Sequence, residues 1–227
     1  MKSYYRVVLA ILLLPVVFIS NNLIALMIAK LFDITGGLWF FVAITLTQTI
    51  LMIGFTLYLA IGRWKLAFND LGFDWSKWAA GLRQGLFYGP LVFLLVSLGG
   101  ALVQLFHPLT DEIQPFAKIV LEAGSATEIT VLCLFAVVLA PVAEELYFRG
   151  LLFGVLKDQV GLKGGILFSG LFFGLMHFDL LRLLPLAIGG MTLAWLYQKT
   201  GSLYASITAH GVWNGLMLII LLLSETG

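Results

Sequence analysis

Runs of about twenty apolar residues follow one another along almost the whole chain. An α-helix rising about 1.5 Å per residue needs about 20 such residues to cross a hydrocarbon layer about 30 Å thick. Backbone N–H and C=O groups meet no water there, so each crossing has to satisfy them internally. Composition agrees: 61% of the 227 residues are hydrophobic and 11% are charged, against about 25% charged in soluble domains. The sequence therefore predicts an all-α polytopic membrane bundle, a single integral domain over residues 1–227 without a separate soluble part. Seven spans are expected, roughly 5–30, 38–61, 84–106, 128–156, 164–179, 182–199 and 202–223.

Charge sets the orientation. Lys2 and Arg6 precede the first span, and Arg63, Lys65, Lys77 and Arg83 lie between the second and third. Arg149, Lys157 and Lys163 flank the turn after the fourth, and Lys199 follows the sixth. The segment from His107 to Glu128 is acidic, with Asp111, Glu112, Glu122 and Glu128 against Lys118, and it reads as an irregular outer loop. The positive-inside rule then puts the N-terminus in the cytoplasm and the C-terminus outside. No small-residue cleavage site follows Asn21-Asn22, so the first span is expected to be retained rather than removed as a signal peptide. Net charge of +1 gives nucleic acid no reason to bind, and the single Cys133 has no partner for a disulfide within the chain. Two Trp and nearby basic residues in Leu71–Trp78 mark a segment resting at the membrane interface. Asn21, Asn22, Gln48 and Gln104 are expected to serve hydrogen bonding between helices.

One stretch breaks the apolar pattern harder than any other. Glu144, Glu145 and Arg149 fall within six residues inside the fourth span, where each charge facing lipid would cost about 2.5–3.5 kcal/mol. Such groups face protein or water and mark a functional site by default. Glu145 and Arg149 are four residues apart, in the favoured order for an ion pair along a helix. Glu144 points about 100° away around the helix and lacks a local counter-ion, which makes it the reactive candidate. Pro141, three residues earlier, is expected to kink the helix.

Two further polar sets interrupt apolar spans: Phe173 with His177, and His210 with Asn214, each at i,i+4. Counted from the turn between the fourth and fifth spans, Glu144 and His177 both lie roughly 18–20 Å deep, and His210 and Asn214 roughly 12–18 Å. All four therefore fit one layer near mid-membrane, open to the cytoplasmic side. Glycines at 164, 165, 170, 174, 189, 190, 211 and 215 suit close helix approach there. A carboxylate beside an imidazole in a low-dielectric pocket can activate water, and an imidazole with a carboxamide can donate to a forming oxyanion. Glu144 is thus assigned as base, His177 as its partner in holding the water, and His210 with Asn214 as oxyanion donors. Glu145 and Arg149 are a supporting pair. The atoms of Glu144, His177 and His210 equally admit zinc with an open position for water, although no His-Glu-x-x-His helix occurs. The cofactor is therefore none or zinc, undecided.

The three sets in this order, Glu144-Glu145-x-x-x-Arg149, Phe173-x-x-x-His177 and His210-x-x-x-Asn214, closely resemble the signature motifs of the CPBP family. These are CAAX-protease and bacteriocin-processing (Abi) intramembrane proteases, relatives of the Rce1-type prenyl-protein endopeptidases. The resemblance covers a catalytic core of about residues 128–223. It implies an intramembrane peptidase with Glu144, His177, His210 and Asn214 in catalytic roles, acting on a peptide or the C-terminus of a lipidated protein in the bilayer. The family is usually labelled metalloprotease, and a metal-free glutamate mechanism has also been proposed for it. Compact size implies a bacterial plasma-membrane protein. Two other classes compete: a small proton-coupled transporter, against which stands the lack of a repeat between the halves, and a non-catalytic bacteriocin-immunity or peptide-binding protein.

Overall fold

The structure, a computed structural model, describes residues 2–107 and 114–224. The Asp111 and Glu112 of the acidic loop lie outside the described residues. Helix α1 is Lys2–Phe32. Helix α2 is Leu38–Arg63, its last turn widened into π-helix from Tyr58. Two 3₁₀ turns, Phe68–Leu71 and Trp75–Lys77, lead into α3, Trp78–Phe106. Helix α4 is the short Pro115–Leu121. A helical stretch of 50 residues, Ala126–Leu175, follows, then α7, Leu180–Thr200, and α8, Leu203–Ser224.

Six of these helices are long and apolar enough to cross a membrane, counting the 50-residue stretch once. Fully straight, that stretch would be about 75 Å long, more than twice the hydrocarbon thickness. It folds back at Gly161, whose φ of 74° and ψ of 175° are not helical. Past the turn, Gly165 lies against the backbone of Lys157, and the Ser169 hydroxyl donates to the Phe148 carbonyl at 3.4 Å. We name the two limbs α5 (126–160) and α6 (162–175). The fourth and fifth expected spans thus form the two antiparallel limbs of one hairpin, the second limb being the shorter.

Two boundaries differ from expectation. The segment after α3 is not wholly irregular, because Pro115 opens α4 at the first helical position, where its missing N–H is no loss. The fifth span ends at Leu175, short of 179, so His177 stands in a turn and not on a helix. In that turn the Phe178 ring packs 5.2 Å from Phe18, midway along α1. The α6–α7 turn thus lies within the thickness of the bundle, where non-helical backbone is tolerated only against protein or water. Asp179 secures it by accepting from the N–H groups of Leu181 and Arg182 at 2.9 and 3.1 Å and pairing with the Arg182 side chain.

Helix association in lipid gains little from apolar burial and relies on close backbone approach. Gly81, Gly85 and Gly89 line the face of α3 that meets α8; a Cβ would fall 2.6 Å from Ser202 Oγ at the first and 2.5 Å from Val212 Cβ at the third. Gly170 and Gly174 do the same for α6 on α7. Asn21 donates to Gln48 across α1 and α2 at 3.5 Å, whereas Asn22 bonds its own helix at the Phe18 carbonyl. The interfacial segment has two faces. Leu71 is fully buried and the Gly72 carbonyl accepts from Leu203 N–H at 2.9 Å, while Trp75 and Trp78 stack outward with centroids 6.1 Å apart. There the Ser76 hydroxyl and N–H hold the Asp74 carboxyl below its ordinary pKa, so the cap gives way only on strong acidification.

Candidate active site

The fourth span is helical throughout but not regular. Two π-helical turns, Phe135–Leu139 and Leu146–Leu152, bracket the segment Ala140–Glu145 that carries both glutamates. Such turns gather at functional sites because they re-aim side chains and free backbone groups. In the first turn Ala140 N–H bonds to the Phe135 carbonyl, five residues back. In that register the next carbonyl, Ala136, would need an N–H from residue 141, which is proline and has none. The Asn214 amide takes the place of that N–H, Nδ2 donating to the Ala136 oxygen at 2.8 Å. Gly211, one turn earlier on α8, leaves room for the Val137 carbonyl. Pro141 and Asn214 are thus two halves of one local solution.

This predicts opposite outcomes for the two halves. Asn214→Ala leaves the Ala136 carbonyl unsatisfied and should destabilise the folded protein by about 1–3 kcal/mol. The same loss in a Pro141→Ala background should be smaller, because that substitution restores the missing backbone N–H. Thermal unfolding of the four proteins in one detergent measures the coupling, and additive losses would refute it.

Around Glu145 the polar groups close into a chain. Its carboxylate is fully buried, and Oε1 accepts from Arg149 Nη1 at 2.8 Å and from His210 Nδ1 at 2.9 Å. Arg149, also fully buried, donates from Nη2 to the Gly190 carbonyl at 2.9 Å and lies over the rings of Phe173 and Phe148 at 4.9 and 5.6 Å. Gly190 brings α7 close enough for that bond, its α-carbon side lying against Gly170 and Phe173. His210 is 3% exposed, stacked on Trp213 at 5.1 Å. Its Nδ1 gives its proton to Glu145, so Nε2 is the free nitrogen. That nitrogen stands 3.9 Å from Glu144 Oε2, and the Glu144 side chain is 25% exposed.

His177 is fixed by a different rule. Phe173 is in the last turn of α6, where carbonyls lose their helical partners, and the backbone N–H of His177 turns instead to Gly174. The imidazole takes over, its Nδ1 2.8 Å from the Phe173 carbonyl. A carbonyl only accepts, so Nδ1 carries the proton and Nε2 is again left open. The His177 side chain is exposed. The Phe173 ring touches both imidazoles, with centroids 5.1 Å from His177 and 5.6 Å from His210.

Of the residues singled out from sequence, Glu144, Glu145, Arg149 and His210 form one contiguous cluster. His177 joins it across Phe173, and Asn214 sits one helical turn from His210 against α5. The imidazole in ion-pair range of Glu144 is that of His210. Glu145 does more than pair with Arg149: it also orients His210, a link over 65 residues that no helical spacing could reveal. Among the described residues no three His, Cys, Asp or Glu side chains are gathered as a metal centre. Beside the site, an apolar cleft of about 530 Å³ opens between α3, α5 and α8, lined by Val137, Ile207, Gly211, Val212 and Gly215 among others.

Fold and site together define a polytopic helical membrane protein with a buried glutamate–histidine–arginine centre. Residues 126–216 match the family described as type II CAAX prenyl endopeptidase, Rce1-like. Over 83 residues the chain is 34% identical to YdiL of Bacillus subtilis (strain 168), a candidate membrane peptidase by name. That match covers 37% of this chain and 34% of YdiL, so the chain spans about a third of the curated relative's length. No solved structure matches.

Proposed function

We propose that the protein is an intramembrane endopeptidase of the CAAX-protease type, in which Glu144 activates the attacking water. The observation that carries the reading is the partly accessible Glu144 carboxylate facing the free nitrogen of an imidazole that Glu145 and Arg149 hold from behind. At 3.9 Å the two groups do not bond each other directly, and a water can bridge a polar gap of that kind.

In the proposed reaction Glu144 takes a proton from that water as it attacks the peptide carbonyl. His177 holds the water or the leaving group through its open Nε2. His210, which must carry a second proton to do so, donates from Nε2 to the oxyanion, joined by the amide hydrogen of Asn214 that Ala136 leaves free. Glu144 then returns its proton to the leaving amine. Glu145 and Arg149 fix the imidazole and touch no reacting atom. A peptide or a lipidated protein C-terminus would reach the site laterally, its apolar part resting in the cleft beside Gly211 and Gly215. We place the N-terminus in the cytoplasm, from the distribution of Lys and Arg alone.

The test is incubation of the purified protein with prenylated and unmodified peptides, with and without a strong chelator. Cleavage that survives the chelator is expected. Cleavage abolished by chelator and restored by zinc would assign the metal route. No cleavage of any peptide, with substrate uptake into liposomes instead, would favour the transporter.

A further inference from the structure

A second cleft, of about 380 Å³, lies away from the catalytic cluster, between the first turns of α3 and the last turn of α7. Ala80, Arg83, Gln84, Phe87, Tyr88 and Lys199 line it. It holds two cations and no carboxylate. Lys199 is not a loose surface lysine: Nζ donates to the Tyr88 hydroxyl at 2.6 Å and sits over the Tyr88 and Trp195 rings at 4.9 and 4.8 Å. A phenolic oxygen takes one of its three hydrogens, so two are left without a hydrogen-bond acceptor. Arg83, one wall over, makes no ion pair among the described residues, which leaves its fork of donors open.

The surroundings say what could fill it. Phe87 is 75% exposed and Leu94, two turns further along the same face of α3, 51%, an apolar strip that runs on from the cleft. Trp78 and Trp195 stand half-exposed at the same end, as aromatic side chains do at the headgroup level. A bidentate guanidinium, a held ammonium and an amide beneath an apolar strip match a phosphate that carries acyl chains. We infer that this cleft binds the headgroup of an anionic phospholipid, with its chains along Phe87 and Leu94. Free inorganic phosphate would meet the same donors but has no use for the strip.

The full chain in phosphatidylcholine vesicles, titrated with brominated phosphatidylglycerol, tests this through tryptophan quenching. Quenching is expected at lower mole fraction than with brominated phosphatidylcholine, and Trp195→Phe should remove most of the difference. Each cation is worth about fivefold near an anionic surface, so Arg83→Gln/Lys199→Gln should weaken the preference by more than tenfold. Arg63→Gln/Lys65→Gln, the same charge change outside the cleft, should weaken it far less. Equal quenching by both lipids, or equal loss in both double variants, would overturn the site. Displacement of the lipid by millimolar inorganic phosphate would overturn the lipid as its occupant. Arg83→Gln alone, on an exposed side chain, guards against a folding defect in the double variant.

Discussion

Glu144→Gln should lower peptide hydrolysis by about 10²–10⁴-fold and leave the bundle folded. The carboxamide has the size and hydrogen-bonding reach of the carboxylate but cannot take a proton from water. Little in the fold depends on the charge. The Glu144 side chain is 25% exposed, and its ion contact with His210, at 3.9 Å, is too long for a hydrogen bond. A surface-like cost of about 0.5 kcal/mol or less is therefore expected. Initial rates and thermal unfolding, measured in the same detergent, separate the two quantities. Wild-type rates in Glu144→Gln would remove this carboxylate as the base. A protective effect against a bacteriocin that persists in the variant would point to binding without cutting.

The contrast with Glu145 shows how much of this site the sequence discloses. Both glutamates break the same apolar run, and helical spacing alone separates them: Arg149 is in register with Glu145 and not with Glu144. The all-α bundle and the three polar sets that interrupt its apolar runs follow equally from counting residues, because lipid permits almost nothing but apolar helices. Four features stay hidden. In the π-turn before Ala140 the Ala136 carbonyl, which Pro141 cannot serve, is taken by Asn214 from another helix, and local propensity does not encode that. The Glu145–His210 bond joins positions whose approach is set by Gly211 packing on Val137, not by either motif. The early end of α6 places His177 in a turn, although the apolar pattern runs on through Phe178 and resumes at Leu180. Gly81, Gly85 and Gly89 form a small-residue stripe at a four-residue period, but the sequence does not say that α8 is the helix it seats.

Arg149→Ala should be the most destabilising single change in the centre, by about 3–5 kcal/mol. It strips the counter-ion from a carboxylate with no exposed surface and removes the donor to the Gly190 carbonyl. Arg149→Lys should recover only part, since one ammonium cannot reach Glu145 and Gly190 with the geometry of a planar fork. Replacing both partners, Glu145→Leu with Arg149→Met, should restore much of the stability, because a buried pair exchanged for apolar side chains no longer bears the desolvation of either charge. Hydrolysis should not return with it, for His210 would have lost the acceptor that sets its proton on Nδ1 and turns Nε2 toward Glu144. Denaturation midpoints and initial rates of the four proteins make the comparison. A double variant that is stable and fully active would show that the ion pair serves the fold alone and that His210 keeps its orientation through Trp213 and Phe173. Recovered stability with lost turnover would show instead that this buried charge pair is kept for the imidazole it aims.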